Sequence, residues 1–141
     1  MRNIVIDTNV FAAALQSKLA ASYRLLSLIG QDKFEVYISV PLILEYEEIG
    51  RRLLANTSLS ENDLSATIDY ICQICKPTQV FYLWRPFLND SDDDMILELA
   101  VAGSCDTIIT FNVKDFAKVE DVFGIRILLP KQFLVEIGEL K

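Results

Sequence analysis

Asp7, Glu45, Asp92, Asp93, Asp94, Asn112 and Asp115 are the side chains of this sequence whose types could do chemistry together. All of them are oxygen donors. The chain has no His, so Ser-His-Asp and Cys-His arrangements are ruled out. Acid–base or metal work therefore falls to carboxylates, Lys, Tyr or Cys. Gathered carboxylates repel one another, and their pKa values rise unless cations intervene. Hard divalent cations with oxygen ligands, Mg²⁺ or Mn²⁺, fit such a set best. A pair of such ions about 3.5–4 Å apart can activate water and stabilise a leaving oxygen in phosphodiester cleavage. The chemistry to expect is in-line attack of activated water on a phosphate, with no covalent intermediate.

These residues are far apart in sequence, so a fold must collect them. Asn3-Ile4-Val5-Ile6 is a short β-branched run that stops at Asp7, as a strand buried on both faces does. Helices are expected over Val10–Leu15 and Ala20–Ile29, and a second strand over Phe34–Ile38. Ser39 can cap the next helix, which tolerates Pro41 in its first turn and carries Leu42, Ile43, Tyr46, Ile49 and Leu53. Ser60 and Asp63 resemble a capping box for a helix that Pro77 ends. Gln79–Leu83 reads as a strand. Ser91 is placed as the cap of a helix with Ile96, Leu97, Ala100 and Val101 on one face, closed by Gly103. Thr107–Phe111 and Arg126–Leu129 read as buried strands, and Pro130 opens a last helix. Strands alternating with helices imply a parallel sheet covered on both faces. In such sheets ligands bind beyond the carboxyl ends of the strands. The acidic residues fall at that end.

Each has a plainer use as well. Asp7 can serve as a helix N-cap, a role compatible with holding a metal. Glu45 lies between Leu42 and Ile49 at helical spacing, on an inward edge where a carboxylate needs a partner. A metal ion would serve, and so would Arg51. Asp92, Asp93 and Asp94 complement a helix dipole. Asp93 shares the phase of Ile96, Leu97 and Ala100, so it is the expected ligand, with Asp92 and Asp94 in supporting roles. Asp115 can cap a short turn before Phe116. Arg51 or Lys114 is the expected contact to a phosphate backbone, beside the plain alternative of solvated surface charge.

The 141 residues fit one domain spanning 1–141, and a hydrophobic share of 52% allows a real core. The net charge of −7 argues against phosphate binding by a broad basic surface. It does not argue against a nuclease, because a bound cation reverses the local field. No apolar run approaches the roughly 20 residues that span a bilayer, and Asp7 interrupts any leader-like stretch. A cytoplasmic location is expected. Cys72, Cys75 and Cys105 make an odd, sparse set, so a disulfide framework is not expected. Cys72 and Cys75 have redox spacing, but the sequence before them reads as mid-helix, and packing is the expected role.

Ile4-Val5-Ile6-Asp7-Thr8-Asn9-Val10, then Glu45, then Asp93 ahead of Ile96-Leu97-Glu98-Leu99-Ala100, then Ile108-Ile109-Thr110-Phe111-Asn112 with Asp115-Phe116, resemble the PIN-domain family in order and spacing. The chain looks closest to the toxin components of toxin–antitoxin pairs, the VapC-like PIN ribonucleases. The resemblance implies a three-layer α/β/α sandwich with a central parallel sheet. It also implies Mg²⁺- or Mn²⁺-dependent ribonuclease activity, a homodimer and an antitoxin that blocks the site. By motif, Asp7, Glu45 and Asp93 match the three most regular acidic positions, and Thr8 and Asn9 the polar residues that support the first. Asn112 falls where many members carry a fourth Asp, which puts a second metal in doubt; Asp115 is placed to compensate. Two other readings were weighed. A catalytically inactive PIN domain that binds RNA or protein is motivated by Asn112. A haloacid-dehalogenase-like phosphatase is disfavoured, because Asn9 stands where its proton-transferring Asp would be.

Overall fold

The computed structural model describes residues 1–141. β1 (Arg2–Ile6) ends with Ile4, Val5 and Ile6 all buried. Successive strand side chains point to opposite faces, so both faces of β1 are covered. β2 (Phe34–Ile38), β3 (Lys76–Pro77), β4 (Thr107–Ile109) and β5 (Arg126–Leu128) complete a five-stranded sheet. The order is β3-β2-β1-β4-β5, and every pairing is parallel. The helices are α1 (Thr8–Gln16), α2 (Ala21–Ser27), α3 (Val40–Leu53), α4 (Glu61–Ile74), α5 (Ser91–Ala102), α6 (Ala117–Phe123) and α7 (Pro130–Glu136). Together they make the expected three-layer α/β/α sandwich.

The topology selects one place on the sheet. From β1 the chain builds outward through β2 and β3, then returns to the other side of β1 for β4 and β5. The reversal leaves a crevice at the carboxyl ends of β1 and β4, where open α/β sheets bind ligands. Tyr46 of α3 braces this crevice from below. Its buried hydroxyl donates to the Ile6 carbonyl, and its ring stacks on Phe11 of α1 at 4.5 Å.

Local signals fix the helix starts. The Ser39 hydroxyl accepts the Leu42 N–H at 3.3 Å to open α3. Ser60 and Asp63 form a reciprocal capping box at α4. The cap of α5 differs from expectation: Asp90, not Ser91, takes it. Asp90 has extended backbone, its carboxylate accepts the Asp92 N–H at 2.9 Å, and its carbonyl accepts from Asp93 and Asp94 at 3.1 Å each.

Two further expectations are corrected. Gln79–Leu83 is not a strand. β3 is confined to Lys76–Pro77, paired with Tyr37 and Ile38, and the Thr78 N–H makes the last bond to Ile38. β2 ends there because Ser39 starts α3, so the chain beyond Thr78 has no strand to pair with. Phe81 is consequently 88% exposed. The segment after Asn112 is more than a turn: a 3₁₀ helix at Val113–Phe116 runs into α6, which Gly124 closes in the left-handed region at φ 68°.

Candidate active site

Asp7 stands at the end of β1, in the crevice. Its backbone N–H continues the ladder to Ile109 at 2.9 Å. Its carboxylate is 6% exposed and held at both oxygens. Oδ1 accepts the Thr8 N–H at 2.7 Å, and Oδ2 accepts the Thr110 hydroxyl at 2.7 Å. Asn9 locks the same corner from the other side, its Oδ1 accepting the Phe111 N–H at 3.4 Å. Thr8 thus contacts Asp7 directly, and Asn9 contacts the chain just beyond β4. Thr110, fully buried, was given no role from sequence. The available signal was a hydroxyl residue ending an apolar strand beside a buried carboxylate.

Asp93 enters the crevice from the first turn of α5. Burial is the main cause that pushes its pKa up to about 7, and the charges of Asp7, Asp90, Asp115 and Asp92 add to it. Asp7 is raised too, first by burial; its two hydrogen bonds oppose this, and Asp90 and Asp92 reinforce it. Glu45, half-buried on α3, is raised by burial and by Asp92, Glu48 and Asp7, with Arg52 pulling the other way. Asp7, Glu45, Asp92, Asp93 and Asp115 therefore lie within one another's fields, joined by Asp90. The fold gathers these carboxylates at one rim, and each raised pKa reflects burial of the charge first and repulsion by its neighbours second, both of which a cation would offset.

Asn112 is at the same rim, tied by its N–H to the Thr110 hydroxyl at 3.0 Å, and its carbonyl accepts the Asp115 N–H at 3.0 Å. Its amide side chain is exposed, as is the Asp115 carboxylate. Lys114 is exposed in the 3₁₀ turn beside Asp115.

Arg51 is not brought to the rim. Six residues beyond Glu45, it is rotated about 240° around α3 and displaced roughly 9 Å along it. Its guanidinium lies 3.7 Å from Glu47 and lines a recess with Glu61 and Asp69 of α4. It neither pairs with Glu45 nor faces the crevice. Asp94 is also placed differently from the expected flank of the buried face: it is 2% exposed, more buried than Asp93. Its Oδ1 accepts the N–H groups of Leu88 at 2.8 Å and Phe87 at 3.3 Å, so it supports the loop over α5 and not the crevice directly.

Glu98 went unassigned from sequence, yet it is 2% exposed. It accepts Arg85 Nη2 at 2.6 Å, Arg85 Nε at 3.1 Å and the Trp84 N–H at 2.9 Å. A lone carboxylate inside the apolar run Met95–Ala100 was the available sign. Cys72 and Cys75 are free thiols, and burial pushes Cys75 up to about 12, opposite to a reactive thiolate.

A family model described as a PIN domain matches residues 3–114. The chain belongs to the PIN-domain family. No curated protein matches it significantly. Among solved structures, this PIN domain is similar to VapBC2 from Rickettsia felis bound to a DNA fragment from their promoter. The TM-score is 0.60 at 14% identity, with 89% of this chain and 96% of that chain covered. At that identity the likeness speaks for the fold. No helix is long and apolar enough to cross a membrane.

No three His, Cys, Asp or Glu side chains are drawn together tightly enough to hold an ion by themselves. The donor set suits a hydrated hard cation, since Mg²⁺ keeps several waters and is held by one or two carboxylates plus substrate phosphate. The raised carboxylates, with no Lys or Arg paired to Asp7 or Asp93, fit that demand.

Proposed function

We propose that this PIN domain is a Mg²⁺- or Mn²⁺-dependent endoribonuclease and the toxin of a toxin–antitoxin pair. The observation that carries the reading is the set of Asp7, Glu45 and Asp93 at the reversal of strand order, with Asp92 and Asp115 adding negative charge. Asp7, Glu45 and Asp93 would hold the cation in part through its own waters, and Asn112 offers a neutral oxygen where a second one would bind. When bound, the cation supplies a Lewis acid that lowers the pKa of water and neutralises phosphate charge. The residues of the chain do the rest. Thr8 and Thr110 fix the orientation of Asp7 by engaging both oxygens. With no His in the chain, the proton of the attacking water passes to a carboxylate of the cluster, of which Asp92 and Asp115 are open to solvent. Lys114, beside Asp115, faces solvent where a phosphate backbone could approach.

The antitoxin, a homodimer and a cytoplasmic location belong to the same proposal. They are supported by the family and by the fold-level likeness to VapBC2. One observation favours a second reading, binding without turnover: Asn112 in place of an acid leaves the far side of the crevice with less charge.

Single-stranded RNA, duplex RNA and single-stranded DNA, each offered with Mn²⁺, separate these readings. Selective shortening of RNA is expected. Binding of RNA with all three substrates intact would establish the binding module instead. In cells, expression should arrest growth, and Asp7→Asn should not. Arrest that persists in Asp7→Asn would remove catalysis from the toxin reading.

A further inference from the structure

We propose that a cavity beside the carboxylate cluster is a nucleotide subsite, in which Arg85 holds the phosphate next to the scissile one on single-stranded RNA. This rests on the ribonuclease reading above. The cavity, of about 420 Å³, is lined by the apolar Val40, Leu83 and Met95 and by the charged Arg85 and Asp92. Asp92 lines the cavity and adjoins Asp93 in the first turn of α5, so the cavity lies beside the carboxylate cluster. A nucleotide presents an apolar base face and an anionic phosphate, and the lining offers apolar side chains for the first and a guanidinium for the second.

Arg85 is built for the second part. Glu98 engages it through Nε and Nη2, and the Trp84 N–H fixes Glu98 in turn. Two of five N–H donors are thereby used, and the rest remain available. The Arg85 side chain is 42% exposed and lines the cavity while Glu98 is 2% exposed, so the anchor is buried and the guanidinium remains accessible. A planar fork fixed this way loses little freedom on gripping a phosphate. Arg51 is engaged by Glu47, Arg52 by Glu48, and Lys118 by the Phe87 carbonyl and ring, which leaves Lys114 at the far rim and Arg85 at this one.

The test is cleavage of a short fluorescent single-stranded RNA with Mn²⁺, over a range of RNA and salt concentrations, by wild type, Arg85→Gln and Glu98→Gln. Melting curves establish that each is folded. A contact to a neighbouring phosphate acts equally on ground and transition states, so it moves KM. Arg85→Gln is expected to raise KM about tenfold, the loss of one charge-assisted contact. It should keep kcat within about twofold and flatten the slope of log(kcat/KM) against log salt by about 0.7. Glu98→Gln keeps one acceptor oxygen, enough for the Trp84 N–H and Arg85 Nε, but loses the acceptor for Nη2 together with the offsetting charge, so the salt slope should steepen. An Arg85 that merely neutralises Glu98, or a cavity that serves a protein partner, would leave KM and the salt slope of Arg85→Gln at wild-type values; that overturns the subsite and spares the ribonuclease reading. A wild type that cuts no RNA overturns both. If Arg85→Gln does not fold, the salt slope of Glu98→Gln decides: a slope unchanged from wild type overturns the subsite, and a steeper one supports it.

Discussion

Replacing Asp93 with Asn should stabilise the metal-free protein at pH 8 and leave it unchanged near pH 4. Asp93 is pushed from an ordinary 3.8 up to about 7, mainly by burial and then by its acidic neighbours. At about 1.36 kcal/mol per unit, the whole shift corresponds to about 4 kcal/mol of penalty on the charged form. The carboxylate is only partly buried, so water and salt screen it, and about 1–2 kcal/mol is the effective figure. Asn also removes an anion from the first turn of α5, where negative charge contributes about 0.3–1 kcal/mol. The net gain is about 1 kcal/mol, or a Tm rise of about 2–5 °C for a domain of this size. The sign follows from linkage. A carboxyl with raised folded-state pKa binds its proton more tightly when folded, so its penalty is absent below pH 4 and grows as pH rises towards 7. The gap between variant and wild type should open across that window. Thermal melts in EDTA at pH 4, 6 and 8 measure it, and Mn²⁺ at pH 8 should reverse the order by stabilising wild type alone. A variant that melts below wild type at pH 8 in EDTA, or a gap that does not change with pH, would refute the account of the cluster.

Other outcomes follow from single contacts. Thr110→Val keeps the shape but removes the donor to Asp7 Oδ2; denaturant titration should show a loss of about 1–3 kcal/mol, and RNA cleavage should slow. Asp94→Ala leaves the Phe87 and Leu88 N–H groups without their acceptor; a similar cost of about 1–3 kcal/mol is expected, with faster hydrogen exchange at the Leu88 amide. Gly50→Ala improves helix propensity by about 1 kcal/mol. A Cβ there would lie 2.5 Å from Leu64 Cδ1, where α3 meets α4. Overpacking of about 1–3 kcal/mol should outweigh the gain and lower the urea midpoint.

The sheet was legible where one residue pattern decided the matter. Ile4-Val5-Ile6 and Ile108-Ile109 are β-branched runs that only a two-sided core accommodates, and Asp7 ending the first placed the crevice. Gln79–Leu83 has the same apolar look and is no strand, because strand formation needs a partner and β2 had already turned into α3. No local pattern carries that information. Phe116, Val119 and Phe123 recur at helical spacing and mark the inner side of the stretch that α6 occupies, a signal too short to stand alone. At the site, Asp7, Glu45 and Asp93 were legible through phase and strand ends. Arg51 was misplaced because its closeness in sequence to Glu45 hides a rotation around α3. Thr110, Glu98 and Arg85 depend on contacts between distant segments, which spacing does not encode.

The central claim is that the crevice carboxylates make a metal-dependent ribonuclease. Labelled single-stranded RNA, incubated with wild type, Asp7→Asn and Asp93→Asn in Mn²⁺, Mg²⁺ or EDTA, tests it most directly. Cleavage is expected with either ion, none in EDTA, and none by either variant although both melt as folded proteins. Cleavage in EDTA, undiminished cleavage by folded Asp7→Asn, or intact RNA with folded wild type in both metals would contradict it.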